Sequence, residues 1–201
     1  VTAVGAMAAL CAADPANLYA GLGIAAGGLA AGLFTGSSRP VTALVFCGAG
    51  LVGIAAAKVL GEENVWMTDV DPAAVRCAAE NAKRNGVENV HLCCGDALDA
   101  VDASGFDWIL SNPPYHADFS VAKKFIEKGF NRLKLGGKLV MVVKRELWYR
   151  NKLTAIFGGV RMQEIGGYFV FTAEKRSERY APPKPKAPKT PPSASKKKRR
   201  A

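Results

Sequence analysis

Short apolar runs alternate with amphipathic stretches along the chain from about residue 41 onward. The apolar runs predict five strands, at residues 41–47, 65–69, 90–94, 106–111 and 138–143. Apolar side chains recur at three- and four-residue steps in the intervening stretches, which predicts helices at residues 51–60, 72–85 and 120–133. Such alternation is typical of a parallel sheet covered by helices.

The pattern changes after the fifth strand. A helix is predicted near residues 148–157, and strands at 160–165 and 168–173 are separated only by Gly166 and Gly167. A two-residue glycine turn between strands predicts an antiparallel hairpin. Dehydrogenase-type sheets usually continue in parallel. We therefore predict an α/β fold with a Rossmann-like sheet, mostly parallel, that ends in a C-terminal antiparallel hairpin.

The two ends of the chain differ in composition from its middle. Residues 1–40 are rich in Ala and Gly, and we expect a lead-in of uncertain structure. The uncharged stretch 18–34 is short for a bilayer span and its glycines disfavour a helix, so a membrane anchor is the less favoured alternative. One domain is predicted at residues 41–176, followed by a disordered basic tail at 177–201.

The charge of the chain is concentrated in that tail. The formal net charge is +10, yet residues 182–201 hold eight Lys or Arg residues and no acid. The remaining residues carry 19 bases against 17 acids. A nearly neutral body with a basic tail predicts a polyanionic partner, which the tail would bind in a salt-sensitive and sequence-independent way.

The five cysteines bear on compartment and on metal binding. Their number is odd and no two of them form a Cys-x-x-Cys pair. This usage argues against both a disulfide framework and a zinc site. We expect reduced thiols, a cytoplasmic location and no metal.

A glycine-rich turn follows the first predicted strand and opens the first predicted helix. Residues 48–53 read Gly-Ala-Gly-Leu-Val-Gly, which lets the backbone approach a nucleotide near the positive end of a helix. Asp69 ends the second strand, where its carboxylate can accept hydrogen bonds from ribose hydroxyls. Asp96 follows the third strand and could accept from an adenine amino group or cap a helix. These features favour an adenosine-containing cofactor over a merely structural tight turn.

The fourth strand runs directly into residues 112–115, which read Asn-Pro-Pro-Tyr. The carboxyl ends of parallel strands face the ligand crevice, which places Asn112 beside the cofactor. Hydrogen bonds from a planar amine to the Asn112 side-chain oxygen and the Pro113 carbonyl would aim the nitrogen lone pair at an electrophilic carbon. The prolines hold these acceptors in place, and Tyr115 can stack on a planar base. The alternative is a proline-rich turn without chemistry.

With these residues, the chain from about 43 to 175 resembles the class I S-adenosylmethionine-dependent methyltransferases of the small-domain type, in which Asn-Pro-Pro-Tyr is the signature. The resemblance implies S-adenosylmethionine as cofactor. It also implies that Asn112 and Pro113 hold the target amine and that Tyr115 stacks on the base. The positions matching the family's cofactor-binding segments are Cys47, Gly48, Gly50, Asp69 and Asp96.

His116 narrows the resemblance. The order Asn-Pro-Pro-aromatic-His, with the later segment 121–137, is most similar to the ribosomal RNA guanine-N2 methyltransferases. Pro114 and His116 are then candidate substrate contacts. Adenine-N6 and glutamine-N5 enzymes share the shorter signature, and His116 could equally be an exposed loop residue.

Cations and aromatic residues follow the fifth strand. Lys144 and Arg145 precede Trp148 and Tyr149, a mixture that suits phosphate contacts and base stacking. We therefore assign Arg145 to substrate binding. The alternative is a solvated helix start.

The chain departs from the family pattern before the glycine-rich turn. In the family the first strand normally ends in an acidic residue that helps to hold the methionine end of the cofactor. Here Leu44 stands at that position in an ungapped alignment, or Val45 if one residue is deleted. Neither can supply a carboxylate.

The favoured function is methyl transfer from S-adenosylmethionine to an exocyclic amino nitrogen, with guanine N2 of ribosomal RNA as target. Adenine N6 and protein glutamine N5 are alternative acceptors. A nicotinamide-dependent oxidoreductase would explain the glycine turn and Asp69, and a degenerate RNA-binding domain would explain the missing acid. The pattern makes no prediction of oligomeric state.

Overall fold

A computed structural model describes residues 41–46, 48–96, 98–113, 119–165 and 167–180. The lead-in and most of the basic tail lie outside these residues. So do four of the candidate site residues, Cys47, Pro114, Tyr115 and His116. No helix in the described part of the chain is long and apolar enough to cross a membrane.

A seven-stranded sheet forms the centre of the described region. Its strands are β1 (Ala43–Phe46), β2 (Val65–Asp69), β3 (His91–Cys94), β4 (Phe106–Ser111), β5 (Leu133–Val143), β6 (Arg161–Ile165) and β7 (Tyr168–Glu174). The helices are α1 (Leu51–Leu60), α2 (Pro72–Arg84), α3 (Phe119–Arg132) and α4 (Glu146–Phe157), with a 3₁₀ turn at Glu62–Asn64.

The strand order is β3-β2-β1-β4-β5-β7-β6. The pairs from β3 across to β5 are parallel, whereas β7 pairs antiparallel with both β5 and β6. The predicted fold class is therefore confirmed. The chain passes from β1 to one side of the sheet and returns at β4 on the other, so a crevice opens beyond the carboxyl ends of β1 and β4.

The element boundaries differ from the prediction mainly around β5. Leu133, predicted as the last residue of a helix, is the first residue of β5 because it pairs with Phe106. Gly136 adopts a φ of 79°, and its amide donates to the Lys175 carbonyl at 2.8 Å. These long-range contacts extend β5 through residues 134–137, a glycine-containing segment that the local pattern did not predict as strand.

The start of α2 follows from its local sequence. The Asp71 side chain accepts a hydrogen bond from the Ala73 amide at 2.8 Å, and Pro72 occupies the first helical position. The helix ends at Arg84, with Asn85 as its C-cap and Gly86, which has a φ of 66°, after it. This punctuation begins α2 three positions after Asp69, the last residue of β2.

The sheet is covered on both faces. Helices α1 and α2 pack on a cluster that includes Val45, Met67 and Trp108. Helices α3 and α4 pack on a cluster that includes Leu44, Ile109 and Met141. Successive strand residues point to opposite faces, so both core clusters draw on the same strands.

Candidate active site

The glycine turn after β1 depends on backbone conformations that other residues rarely adopt. Gly48 has a φ of 48° and Gly50 a φ of 90°. A Cβ at Gly50 would lie 3.0 Å from the Cβ of Ala78 on α2, whereas one at Gly48 would meet no described atom within 4 Å. Gly50 therefore lets the turn pack against α2, and Gly48 leaves open space where a ligand could approach.

The third glycine of the pattern has a packing role. A Cβ at Gly53 would lie 1.9 Å from the Sδ atom of Met67, which is fully buried in β2. The glycine therefore allows α1 to lie close to the sheet, and this closeness directs the first turn of α1 toward the crevice.

Asp69 connects the end of β2 to the glycine turn. Its Oδ2 atom accepts a hydrogen bond from the Gly48 amide at 2.9 Å, and its Oδ1 atom accepts one from the Asp71 amide at 3.0 Å. Each carboxylate oxygen has a further lone-pair direction, so the side chain can accept from a ligand as well. Val70, which the sequence analysis did not select, is 67% exposed and offers an apolar surface at the same edge.

Asp96 lies near Asp69, since the Gly95 amide donates to the Asp69 carbonyl at 2.9 Å. The Lys124 ammonium on α3 donates to Asp96 Oδ2 at 2.7 Å. This hydrogen bond and its charge lower the pKa of Asp96, and the same contact raises the pKa of Lys124. The helix-cap alternative for Asp96 is wrong, because residues 98–100 form a turn.

Asn112 and Pro113 follow β4 at the same edge of the sheet. Asn112 is exposed and Pro113 is buried, so the amide side chain lies toward solvent above a packed proline. Because β4 pairs with β1 in parallel, Asn112 lies one strand away from the glycine turn. The Asn and Pro that were predicted to hold an amine are thus placed beside the predicted cofactor site.

Ser111, directly before Asn112, has an unusual environment. The residue is 5% exposed. Among the described residues, its hydroxyl oxygen is the one buried side-chain nitrogen or oxygen atom that has no hydrogen-bond partner. An unsatisfied buried hydroxyl costs about 1–3 kcal/mol. Ser111 is therefore a position at which removal of the hydroxyl is expected to stabilise the fold.

We expect Ser111→Ala to raise the melting temperature by about 3 °C, because it removes the unsatisfied hydroxyl from the core. Differential scanning calorimetry measures the change. Ser120→Ala, at an exposed position of α3, is the control and is expected to shift the melting temperature by less than about 1 °C. A lower melting temperature for Ser111→Ala would contradict the prediction.

The start of α4 brings Arg145 to an aromatic cluster. The Arg145 guanidinium carbon lies 5.4 Å from the centre of the Phe119 ring. Phe119 stacks on Trp148, with ring centres 4.4 Å apart and an interplanar angle of 21°. Phe119 was missed as a site residue. It lies four positions after Tyr115, and no local feature of the sequence distinguishes it from a packing residue.

Tyr149 does not join the exposed part of this cluster. It is 7% exposed, and burial raises the pKa of its hydroxyl, although the charge of Arg145 acts in the opposite direction. The suggestion that Tyr149 stacks on a base is therefore wrong, because its ring belongs to the core beneath α4.

Strand β1 carries Leu44 and Val45 where the family pattern has an acidic residue. Leu44 and Val45 are both fully buried, on opposite faces of the sheet. Neither side chain reaches the crevice in place of the usual acid. The acceptors at this edge are the Asp69 and Asp96 carboxylates, which suit the hydroxyl and amino groups of an adenosine. Within the described residues, no group of three His, Cys, Asp or Glu side chains could hold a metal.

Comparisons with known proteins agree with this geometry. The chain is 34% identical over 136 residues to the uncharacterized protein YbxB of Bacillus subtilis, covering 65% of this chain and 68% of that protein. It is 35% identical over 120 residues to ribosomal RNA small subunit methyltransferase C of Hahella chejuensis, covering 58% of this chain but only 34% of that enzyme. The chain thus spans about a third of the length of this curated rRNA methyltransferase.

Two solved structures are also similar. TrmN from Thermus thermophilus superposes with a TM-score of 0.60 at 27% identity, covering 69% of this chain and 45% of that one. A 16S rRNA N2 methyltransferase (RsmC) from Thermus thermophilus, solved with AdoMet and guanosine, has a TM-score of 0.58 at 26% identity, covering 68% and 38%. A profile of the methyltransferase small domain matches residues 35–172. The chain therefore belongs to the methyltransferase small domain family.

Proposed function

We propose that the chain transfers a methyl group from S-adenosylmethionine to an exocyclic amino nitrogen of RNA, with guanine N2 of ribosomal RNA as the favoured target. The observation that carries the proposal is the exposed Asn112, which follows buried β4 one strand from the glycine turn. The names of the rRNA methyltransferases that the chain resembles support RNA as substrate. Such a substrate would place the protein in the cytoplasm.

The cofactor would be held mainly through its adenosine half. Cys47, Gly48 and Gly50 would supply backbone contacts, Asp69 would accept from the ribose hydroxyls, and Asp96 would accept from the adenine amino group. The second oxygen of Asp96 is suited to this because Lys124 engages Oδ2. Support for S-adenosylmethionine as the cofactor comes from the AdoMet-bound neighbour and from the family.

The chemistry at Asn112 requires orientation more than a strong base. The Asn112 side-chain oxygen and the Pro113 carbonyl would accept the two amine hydrogens and favour lone-pair density on nitrogen. The cofactor supplies an electrophilic methyl carbon on a sulfonium. Asn112 and Pro113 would hold the amine nitrogen in line with that carbon, so that the cofactor would leave as a neutral thioether and the methylated nitrogen would lose a proton to water. Tyr115 would stack on the base, while Pro114, His116 and Arg145 would contact the RNA.

We propose residues 41–176 as the methyltransferase domain and residues 177–201 as a basic tail that adds salt-sensitive RNA affinity. The family match, at residues 35–172, supports this division. The nicotinamide-dependent alternative loses its support, because membership of a methyltransferase family accounts for the glycine turn and Asp69 together with the final hairpin.

The direct test is incubation of the full chain with labelled S-adenosylmethionine and unmodified ribosomal RNA, followed by digestion to nucleosides. We expect label in N2-methylguanosine. Label in N6-methyladenosine would instead identify adenine N6 as the position that is methylated. RNA binding without methyl transfer to any RNA would instead support the non-catalytic alternative and contradict the proposed function.

A further inference from the structure

The first turns of α3 and α4 form a surface that combines a cation with aromatic and aliphatic side chains. We define the Arg–aromatic surface as Arg145, Leu147, Trp148 and Phe119. The Arg145 guanidinium lies over the Phe119 ring, and Phe119 stacks on Trp148. Both rings are half-buried, Arg145 is exposed and Leu147 is 71% exposed. These apolar groups therefore remain partly accessible despite packing on one another.

The charge at this surface is positive. Lys144 precedes Arg145, and its ammonium lies 5.1 Å from the centre of the Tyr168 ring. Glu146, the acid in the first turn of α4, pairs with Arg150 at 2.5 Å. The Glu146 carboxylate is thus paired with a cation one turn along the helix, and Arg145 remains in contact with the Phe119 ring. An anionic partner fits this arrangement better than a neutral one.

The surface lies on the β5 side of the candidate amine site. Strand β5 pairs with β4, with Ser111 opposite Met141, so the residues that follow the two strands emerge side by side. Phe119 follows Pro113 by six positions. The glycine turn follows β1, and β1 is the neighbour of β4 on the side opposite β5. The cofactor site and the Arg–aromatic surface therefore flank Asn112 from opposite sides.

We propose that the Arg–aromatic surface binds the nucleotide next to the target in a single-stranded RNA. The neighbouring base would stack on the Trp148 ring, whose other face packs on Phe119, and Arg145 would contact the adjoining phosphate. Aromatic stacking combined with a cation is the chemistry by which proteins hold unpaired nucleotides. This inference rests on the proposed function, because it supplies the contact that presents the target amine to Asn112.

The test is binding of a fluorescein-labelled, guanine-containing, single-stranded RNA of about ten nucleotides to the full chain, measured by anisotropy at several salt concentrations. We expect Trp148→Ala and Arg145→Ala each to weaken binding about tenfold. Arg145→Ala should also reduce the salt dependence. The matched control is Lys83→Ala, which removes an exposed cation from α2 on the opposite face of the sheet and is expected to change affinity less than about twofold.

Base stacking should also quench the fluorescence of Trp148, and this quenching should disappear in Trp148→Phe, whose ring should retain most of the affinity. Melting temperatures check that each variant folds. Equal losses for Arg145→Ala and Lys83→Ala would show that only general positive charge matters, and would overturn the proposal. So would unchanged binding by Trp148→Ala.

Methylation of ribosomal RNA, assayed on the same preparations, separates the two proposals. Methylation by the wild-type chain together with unaltered RNA binding by the variants would refute only the Arg–aromatic surface. Weakened RNA binding by the variants without methylation by the wild type would refute the proposed function and leave the surface standing.

Discussion

Asn112→Ala is expected to reduce methyl transfer by about a hundred- to a thousandfold, while binding of S-adenosylmethionine changes less than about twofold. The substitution removes the acceptor that orients the amine, but the glycine turn and Asp69 lie one and two strands away. Initial rates with ribosomal RNA measure the first effect. Isothermal titration calorimetry with S-adenosylhomocysteine measures the second.

The control for this prediction is Asn112→Asp, which keeps an acceptor oxygen at the same position. We expect it to retain more activity than Asn112→Ala, because hydrogen bonding to the amine survives even though a charge is added. Turnover by Asn112→Ala equal to that of the wild type would show that the amine is held elsewhere. Loss of cofactor binding in both variants would instead assign Asn112 to the cofactor site.

Asp69→Ala is expected to weaken cofactor binding by about a hundredfold and to lower the melting temperature. The carboxylate accepts from the Gly48 and Asp71 amides, so its removal releases the glycine turn as well as the predicted ribose contact. Calorimetry with S-adenosylhomocysteine measures the affinity, and scanning calorimetry measures the stability.

Asp71→Ala is the matched control for Asp69→Ala. It removes the side-chain cap of α2, which costs about 1 kcal/mol, but leaves both amide contacts of Asp69 in place. We therefore expect a lower melting temperature with cofactor affinity within about threefold of the wild type. If Asp71→Ala loses as much affinity as Asp69→Ala, the effect of Asp69 is one of stability and the ribose assignment fails.

The sequence predicted several elements to the residue, namely α1, β2 and β4. Their limits coincide with local changes that act on the backbone directly, such as the glycines that flank α1 and the Asp71-Pro72 start of α2. The beginning of β5 was missed for the opposite reason. Its pairing rests on hydrogen bonds between Lys175 and the residues Gly136 and Gly137, which lie far from Lys175 in sequence.

The residues of the candidate site likewise divide into those that the local sequence identifies and those that it does not. Asp69 and Asn112 could be selected from sequence because each ends a recognisable strand, and the carboxyl ends of parallel strands share one edge. Phe119, Val70 and Lys124 were not selected. A phenylalanine, a valine or a lysine in an amphipathic helix or a turn has no local feature that distinguishes a site residue from a packing or solvated one.

The sequence by itself determined the order of strands and helices along the chain. It also determined the antiparallel end of the sheet and the residues at the carboxyl edge of the sheet. These follow from local periodicity and from backbone constraints of Gly and Pro, which act over a few residues. Only the tertiary structure decided that Asp69 binds the Gly48 amide, 21 positions away, and that Lys124 engages Asp96, 28 positions away. It also decided that Tyr149 is buried while Trp148 and Arg145 meet Phe119. Such contacts depend on how the helices pack against the sheet, and periodicity does not encode that arrangement.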